Sequence, residues 1–214
     1  MSGMSGMSGD SAGSERSPAP RRIGLVGGSF DPPHLGHLVV AECARVELDL
    51  DEVRLLVAGS PWMKTVVSDA ADRVALVEAA VADAPGLICD AREVARPGPT
   101  FTADTLAEVR AEDPDAEVFF VLGEDAAAAL PDWERIEDAF ALATFVVVTR
   151  PGSVPPDESR LPGPVVHLEI PQLRVSSTDL RARFARGGAT RWLVPPAVDD
   201  EIRRRGLYGA PPPA

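Results

Sequence analysis

Residues 23–37 read Ile23-Gly24-Leu25-Val26-Gly27-Gly28-Ser29-Phe30-Asp31-Pro32-Pro33-His34-Leu35-Gly36-His37. A short apolar run ends in paired glycines, a proline-bearing turn follows, and a glycine between two histidines opens a helical pattern. A strand that passes through a glycine turn into a helix is the junction at which an open α/β sheet meets its ligand. Gly27 and Gly28 have access to backbone angles barred to other residues and admit close approach to the main chain. A helix opening at Gly36 turns its free N–H groups and positive dipole end toward an anion. If that helix begins near Leu35, His34 and His37 leave the same side of its first turn and both can reach one phosphate. The same residues also suit a plain tight turn with helix-capping histidines, and the histidine pair lacks a third ligand for zinc.

Outward from this junction, short apolar runs recur at 23–26, 53–58, 87–89, 118–122, 145–148 and 165–168. They are continuous rather than alternating, as in strands covered on both faces. Between them, 36–46, 71–82, 103–112, 125–128 and 178–186 read as helices. Strand and helix in alternation predict an α/β fold, a single-domain, Rossmann-like, doubly wound parallel sheet. Residues 151–164 are rich in proline and glycine and read as a surface loop between strands, not as a domain boundary. The segment 195–205 carries its prolines first, its acids early and Arg203 to Arg205 last, an order that complements a helix dipole.

Residues 1–21 begin with a Met-Ser-Gly repeat, hold almost nothing that can fill a core, and read as a disordered tail. The domain is expected over 22–209, with 210–214 a short tail. The sequence shows neither a signal-peptide apolar core nor a membrane-spanning run, so a soluble cytoplasmic protein without membrane association is expected. Cys43 and Cys89 have no CxxC spacing and are expected as buried thiols. A formal net charge of −12 argues against nucleic acid as a partner, because phosphate neutralisation needs a basic face. It leaves room for a small anion held by a few local donors. Nothing in the sequence reports an oligomeric state.

Further stretches follow other strands. Val175-Ser176-Ser177-Thr178-Asp179-Leu180-Arg181 reads as an N-cap and first helical turn, and Arg181 lies where a guanidinium can fold back over an anion at that helix start. Ser60-Pro61-Trp62-Met63-Lys64 carries the only lysine of the chain. In Pro99-Thr100-Phe101-Thr102-Ala103-Asp104-Thr105-Leu106, Thr102 reads as an N-cap and Asp104 as a first-turn acid. Gly123-Glu124-Asp125 ends a strand, and Pro131-Asp132-Trp133-Glu134 lies shortly beyond.

Together these stretches resemble the HxGH nucleotidyltransferase superfamily, and the GGSFDPPHLGH string is similar to its bacterial nicotinate mononucleotide adenylyltransferase branch. The likeness runs from about Arg22 to Tyr208. It implies AMP transfer from ATP to nicotinate mononucleotide in NAD biosynthesis, with ATP and the mononucleotide as partners and Mg²⁺ carried with ATP instead of in a protein metal site. The implied catalytic residues are His34, His37, Lys64 and Arg181. ATP binding is implied for Gly27, Gly28, Ser29, Phe30, Gly36, Asp125, Ser176, Ser177 and Thr178, and mononucleotide binding for Thr102, Asp132, Trp133 and Glu134. Gly36 is expected to leave room for the nucleotide, and Trp133 to stack on the pyridine ring. Pro33, Met63 and Glu124 depart from the pattern. A related adenylyltransferase with the amide mononucleotide or another phosphorylated acceptor, or a non-catalytic nucleotide binder, would share much of the same sequence.

Overall fold

The computed structural model describes residues 19–59, 66–149, 157–171 and 173–212. Six strands form one sheet: β1 (Arg22–Gly28), β2 (Glu52–Val57), β3 (Leu87–Asp90), β4 (Glu117–Gly123), β5 (Thr144–Thr149) and β6 (Val165–Glu169). The helices are α1 (Leu35–Glu47), α2 (Ala70–Val81), α3 (Arg92–Ala95), α4 (Thr102–Glu112), α5 (Glu124–Ala127), α6 (Ile136–Leu142), α7 (Ser177–Ala185) and α8 (Pro196–Arg205). The strand order is β3-β2-β1-β4-β5-β6 and every pairing is parallel. The doubly wound parallel sheet expected from the sequence is therefore present.

The continuity of the apolar runs has a direct cause. Successive strand side chains point to opposite faces, and in the central strands both faces are buried, while the edge strands β3 and β6 leave Ile88 and Val166 exposed. Val118, Phe120 and Leu122 of β4, with Phe145 and Val147 of β5, pack against Leu106, Val109, Ile136 and Ala139 of α4 and α6. Phe119, Val121, Val146 and Val148 face the other way, into the layer with Ala41, Ala44, Val77 and Val81 of α1 and α2. A third cluster joins α2 to α7 and α8 through Leu76, Leu180, Phe184, Val198 and Ile202. It holds the C-terminal helices on the α1 side of the sheet.

Central strand β1 pairs with β2 on one side and β4 on the other. Connections leave this pair in opposite directions, so the chain parts at the carboxyl ends of β1 and β4 and leaves a crevice there. Two helices were not legible: α3, of four residues, and α6, of seven. Each is too short for a helical period to stand out, and α6 starts only after Arg135 takes a left-handed φ of 57°.

Thr102 is the first residue inside α4, and the cap position belongs to Phe101 in extended conformation (φ −109°, ψ 140°), so Thr102 is not the N-cap expected. Gly27 and Gly28 also differ from expectation. Both lie in β1, and neither has positive φ; in this junction the left-handed residue is Phe30 (φ 50°). Gly28 is needed for space instead, since an added Cβ would stand 2.9 Å from Cζ of Phe30. Cys43 and Cys89 are free thiols, half-buried instead of fully enclosed. Burial pushes the Cys89 thiol up to about 11, which keeps it protonated at neutral pH.

Gly59, just past β2, is the tightest glycine. A Cβ there would lie 2.2 Å from the carbonyl oxygen of Glu93. Because that neighbour is backbone, Gly59→Ala must displace α3 or the β2 end. It is expected to cost about 1–3 kcal/mol in urea unfolding, and an unchanged midpoint and slope would refute the contact.

Candidate active site

A cavity of about 660 Å³ opens at the carboxyl ends of β1 and β4. Gly27, Gly28 and Ser29 form one wall, and Thr102, Asp132, Trp133 and Glu134 lie on the others, so two sets of sequence-predicted residues share one cavity. Trp133 stands edge-on to Phe120 of β4, with ring centroids 6.0 Å apart at 85°. Among the described residues, the buried Nε1 of Trp133 and Oγ1 of Thr100 lack hydrogen-bond partners although both residues line the cavity. Buried donors without partners are costly, and a polar ligand substituent would satisfy them.

Beside the cavity, the turn of residues 29–34 leads into α1. His34 is the N-cap in extended conformation (φ −147°, ψ 171°), so the helix starts at Leu35 as the histidine spacing requires. The two imidazoles stack, with centroids 3.7 Å apart and planes 17° off parallel. His37 Nδ1 accepts the backbone N–H of His34 at 3.2 Å, which fixes the His37 ring relative to the helix start. Phe30, 1% exposed, meets His37 edge-on at 5.0 Å. Its ring belongs to the core, so Phe30 offers a ligand only its main chain. A Cβ at Gly36 would stand 3.0 Å from His34 Nδ1 and 3.2 Å from Val175 Cγ1. Gly36 therefore also lets the histidine pair and the loop before α7 close on each other.

The second phosphate-type motif reaches the same place from the far end of the chain. Ser176 caps α7 by accepting the Asp179 N–H at 3.1 Å. Ser177 Oγ donates to the carbonyl of Pro32 at 2.8 Å, and Arg181 Nη1 donates to the carbonyl of Asp31 at 2.7 Å. Arg181 Nη2 also reaches Thr178 Oγ1 at 3.2 Å. The N-termini of α1 and α7 are thus tied to one turn. Ser177 and Arg181 commit donors to it, and the fork of Arg181 retains further N–H groups for an anion.

Asp31 organises this turn. Its carboxylate, 1% exposed, accepts the Val67 N–H at 2.6 Å and the Tyr208 hydroxyl at 2.7 Å, with Arg181 at 3.9 Å. Arg73, also 1% exposed, donates to the carbonyls of Ser29 (3.0 Å), Ala58 (2.7 Å) and Gly59 (3.3 Å). Its guanidinium pins the ends of β1 and β2 to each other. Burial lowers its pKa, and the nearby Asp31 opposes that shift. Arg73, Tyr208 and the buried Glu93 were missed because each stands alone in an ordinary helical or terminal pattern.

Lys64 lies outside the described residues. Asp125, in the first turn of α5, is exposed and is not among the residues lining the cavity. Glu124, the departure beside it, is not among them either, although its Oε1 is buried without a partner among the described residues. Among the described residues no group of three or more His, Cys, Asp or Glu could hold a metal ion, and no helix is long and apolar enough to cross a membrane.

The cytidylyltransferase-like family matches residues 25–183, a span that includes both helix starts. A relative from Saccharopolyspora erythraea, named probable nicotinate-nucleotide adenylyltransferase, is 43% identical over 88% of this chain and 90% of its own. One of the same name from Clavibacter michiganensis subsp. michiganensis is 44% identical over 90% of this chain and 97% of its own. The chain belongs to the nicotinate-nucleotide adenylyltransferase family. It is a nucleotidyltransferase. A solved nicotinic acid mononucleotide adenylyltransferase from Plasmodium falciparum, complexed with NaAD, shares the fold at a TM-score of 0.72 and 20% identity, covering 89% of this chain and 98% of that one.

The Asp31–Tyr208 contact gives a stability test. Tyr208, the only tyrosine of the chain, has its pKa raised, chiefly by burial. Its contribution is complete below the unfolded value of about 10 and is lost as pH rises above it, because the unfolded chain ionises first. Tyr208→Phe leaves a buried carboxylate short of one donor. It is expected to lose about 1–3 kcal/mol at neutral pH and to flatten the alkaline fall in stability. Urea melts from pH 7 to 11 check both; equal curves for the two proteins would remove the contact from the account.

Proposed function

We propose that the chain transfers the adenylyl group of ATP to nicotinate mononucleotide, releasing pyrophosphate and nicotinate adenine dinucleotide for NAD biosynthesis, in the cytoplasm. The observation that carries this reading is the tie of Ser177 and Arg181 to the Pro32 and Asp31 carbonyls, which seats two helix N-termini on one turn beside the cavity that Trp133 lines. One end suits a polyphosphate and the other an aromatic ring. A phosphate oxygen of the mononucleotide attacks the α-phosphorus of ATP in line, and the bond to the β-phosphate oxygen breaks as pyrophosphate leaves. The protein supplies no nucleophile; it holds both reactants and stabilises developing charge.

In this reading the backbone of Gly27, Gly28, Ser29, Phe30 and Gly36 faces ATP, and the α7 start at Ser176, Ser177 and Thr178 holds its phosphates. His34, Lys64 and Arg181 add charge to that grip, Asp125 lies at its edge, and His37 meets the leaving pyrophosphate. Thr102, Asp132, Trp133 and Glu134 receive the mononucleotide. Mg²⁺ would enter with ATP and partly neutralise its phosphates, keeping much of its own hydration.

His37→Ala is expected to lower kcat by about 10²–10³, the usual effect of losing one well-placed donor to developing charge, while the protein remains folded. Pyrophosphate release and a circular-dichroism melt measured together decide it, and near-normal turnover would sink the assignment. Run in parallel with nicotinate mononucleotide, nicotinamide mononucleotide and phosphopantetheine, the wild-type protein is expected to turn over the nicotinate form fastest. Preference for phosphopantetheine would move the protein to a sister activity.

A further inference from the structure

The described residues lining the cavity include three carboxylates, Glu93, Asp132 and Glu134, and no lysine, arginine or histidine. This is an unexpected lining for an enzyme whose substrates are anions, and the three acids are not equivalent. Asp132 is exposed and pairs with the equally exposed Arg160 at 3.1 Å, and Glu134 is exposed, so water and salt screen both. Glu93 is 9% exposed. It projects from α3, whose main chain is fixed against Gly59 at the end of β2.

Its Oε1 accepts the hydroxyl of Thr105 at 2.9 Å, which orients the carboxyl from α4. Arg96 faces that same hydroxyl at 3.3 Å and pairs with Glu108, so among the described residues no guanidinium hydrogen-bonds to Glu93. Burial accordingly raises the Glu93 pKa, with Thr105 and Arg96 opposing. A desolvated carboxyl of this kind gains from a cation brought into the cavity.

The acceptor proposed above supplies one. The ring nitrogen of nicotinate mononucleotide is bonded to ribose and is quaternary, so the ring bears a fixed positive charge. We infer that Glu93 is the counter-ion of that pyridinium ring and that the cavity selects a cationic ring over a neutral one of equal shape. Trp133 works in the same sense, since an aromatic face attracts a cation. This inference rests on the acceptor proposed above.

The test compares nicotinate mononucleotide with the C-nucleoside phosphate in which 3-carboxyphenyl replaces the ring. The analogue keeps the carboxylate, ribose and phosphate and loses only the ring charge. Wild-type protein is expected to prefer the pyridinium by roughly tenfold or more in kcat/KM, well below the full Coulomb energy of a close pair because both charges give up water on binding. Glu93→Gln, which keeps an acceptor for Thr105, is expected to bring that ratio toward one through a higher KM for the pyridinium substrate alone. A ratio near one in the wild type overturns the inference, as does an unchanged ratio in folded Glu93→Gln. If that variant does not fold, the wild-type ratio decides alone. Pyrophosphate release with the analogue but none with nicotinate mononucleotide would instead remove the acceptor assignment itself.

Discussion

The site depends on one buried carboxylate. Asp31 holds the end of the β1 turn through the Val67 N–H and the C-terminal Tyr208 hydroxyl, while its own carbonyl and that of Pro32 receive Arg181 and Ser177. These bonds join residues up to 177 positions apart in the chain. A buried charge of this kind is tolerated only when its lone pairs are filled, so the groups that fill them must arrive in one geometry. Placing α1 and α7 start to start is the consequence, and that geometry leaves N–H groups at the two helix ends of the kind that suit an anion.

Arg73 solves the complementary problem on the other side of the turn. Three carbonyls at the ends of β1 and β2 leave the parallel ladder with no further strand N–H to pair with, and one guanidinium collects them. Buried carbonyls need partners as much as buried donors do. A single long side chain from α2 can reach all three because its five N–H donors fan out in a plane. The crevice wall is therefore held by side chains from the layer behind it, which leaves the wall's front free for ligand.

The fold was legible because its apolar runs carry no polar alternation, a property that only a sheet covered on both faces explains. The candidate site was legible where glycine, histidine and serine cluster after a strand, and Gly27 to His37 and Ser176 to Arg181 are such places. Where reading failed, the cause was three-dimensional. Gly28 is required by the ring of Phe30 two residues on, which a backbone-angle argument does not foresee. Thr102 looks like a cap, but the helix begins at that residue. Glu93 and Arg73 carry no local signal, because a lone acid or base on a helix is ordinarily solvated and only burial makes it informative.

Electrostatics then divides the crevice in two. The chain carries a net charge of −12, yet the ends of α1 and α7 gather N–H groups and the guanidinium of Arg181 within a few residues of one turn. Remote acids are screened over about 8 Å at physiological salt, so these local donors govern the field at the helix ends. The cavity end shows the opposite sign through Glu93. On the proposed reading, a mononucleotide that turns its phosphate to the helix ends sets its pyridinium nitrogen near Glu93, and reversal would set phosphate against a buried carboxyl. On that reading, the charges that bind the ring also orient the attacking phosphate, alongside the residues proposed to hold ATP.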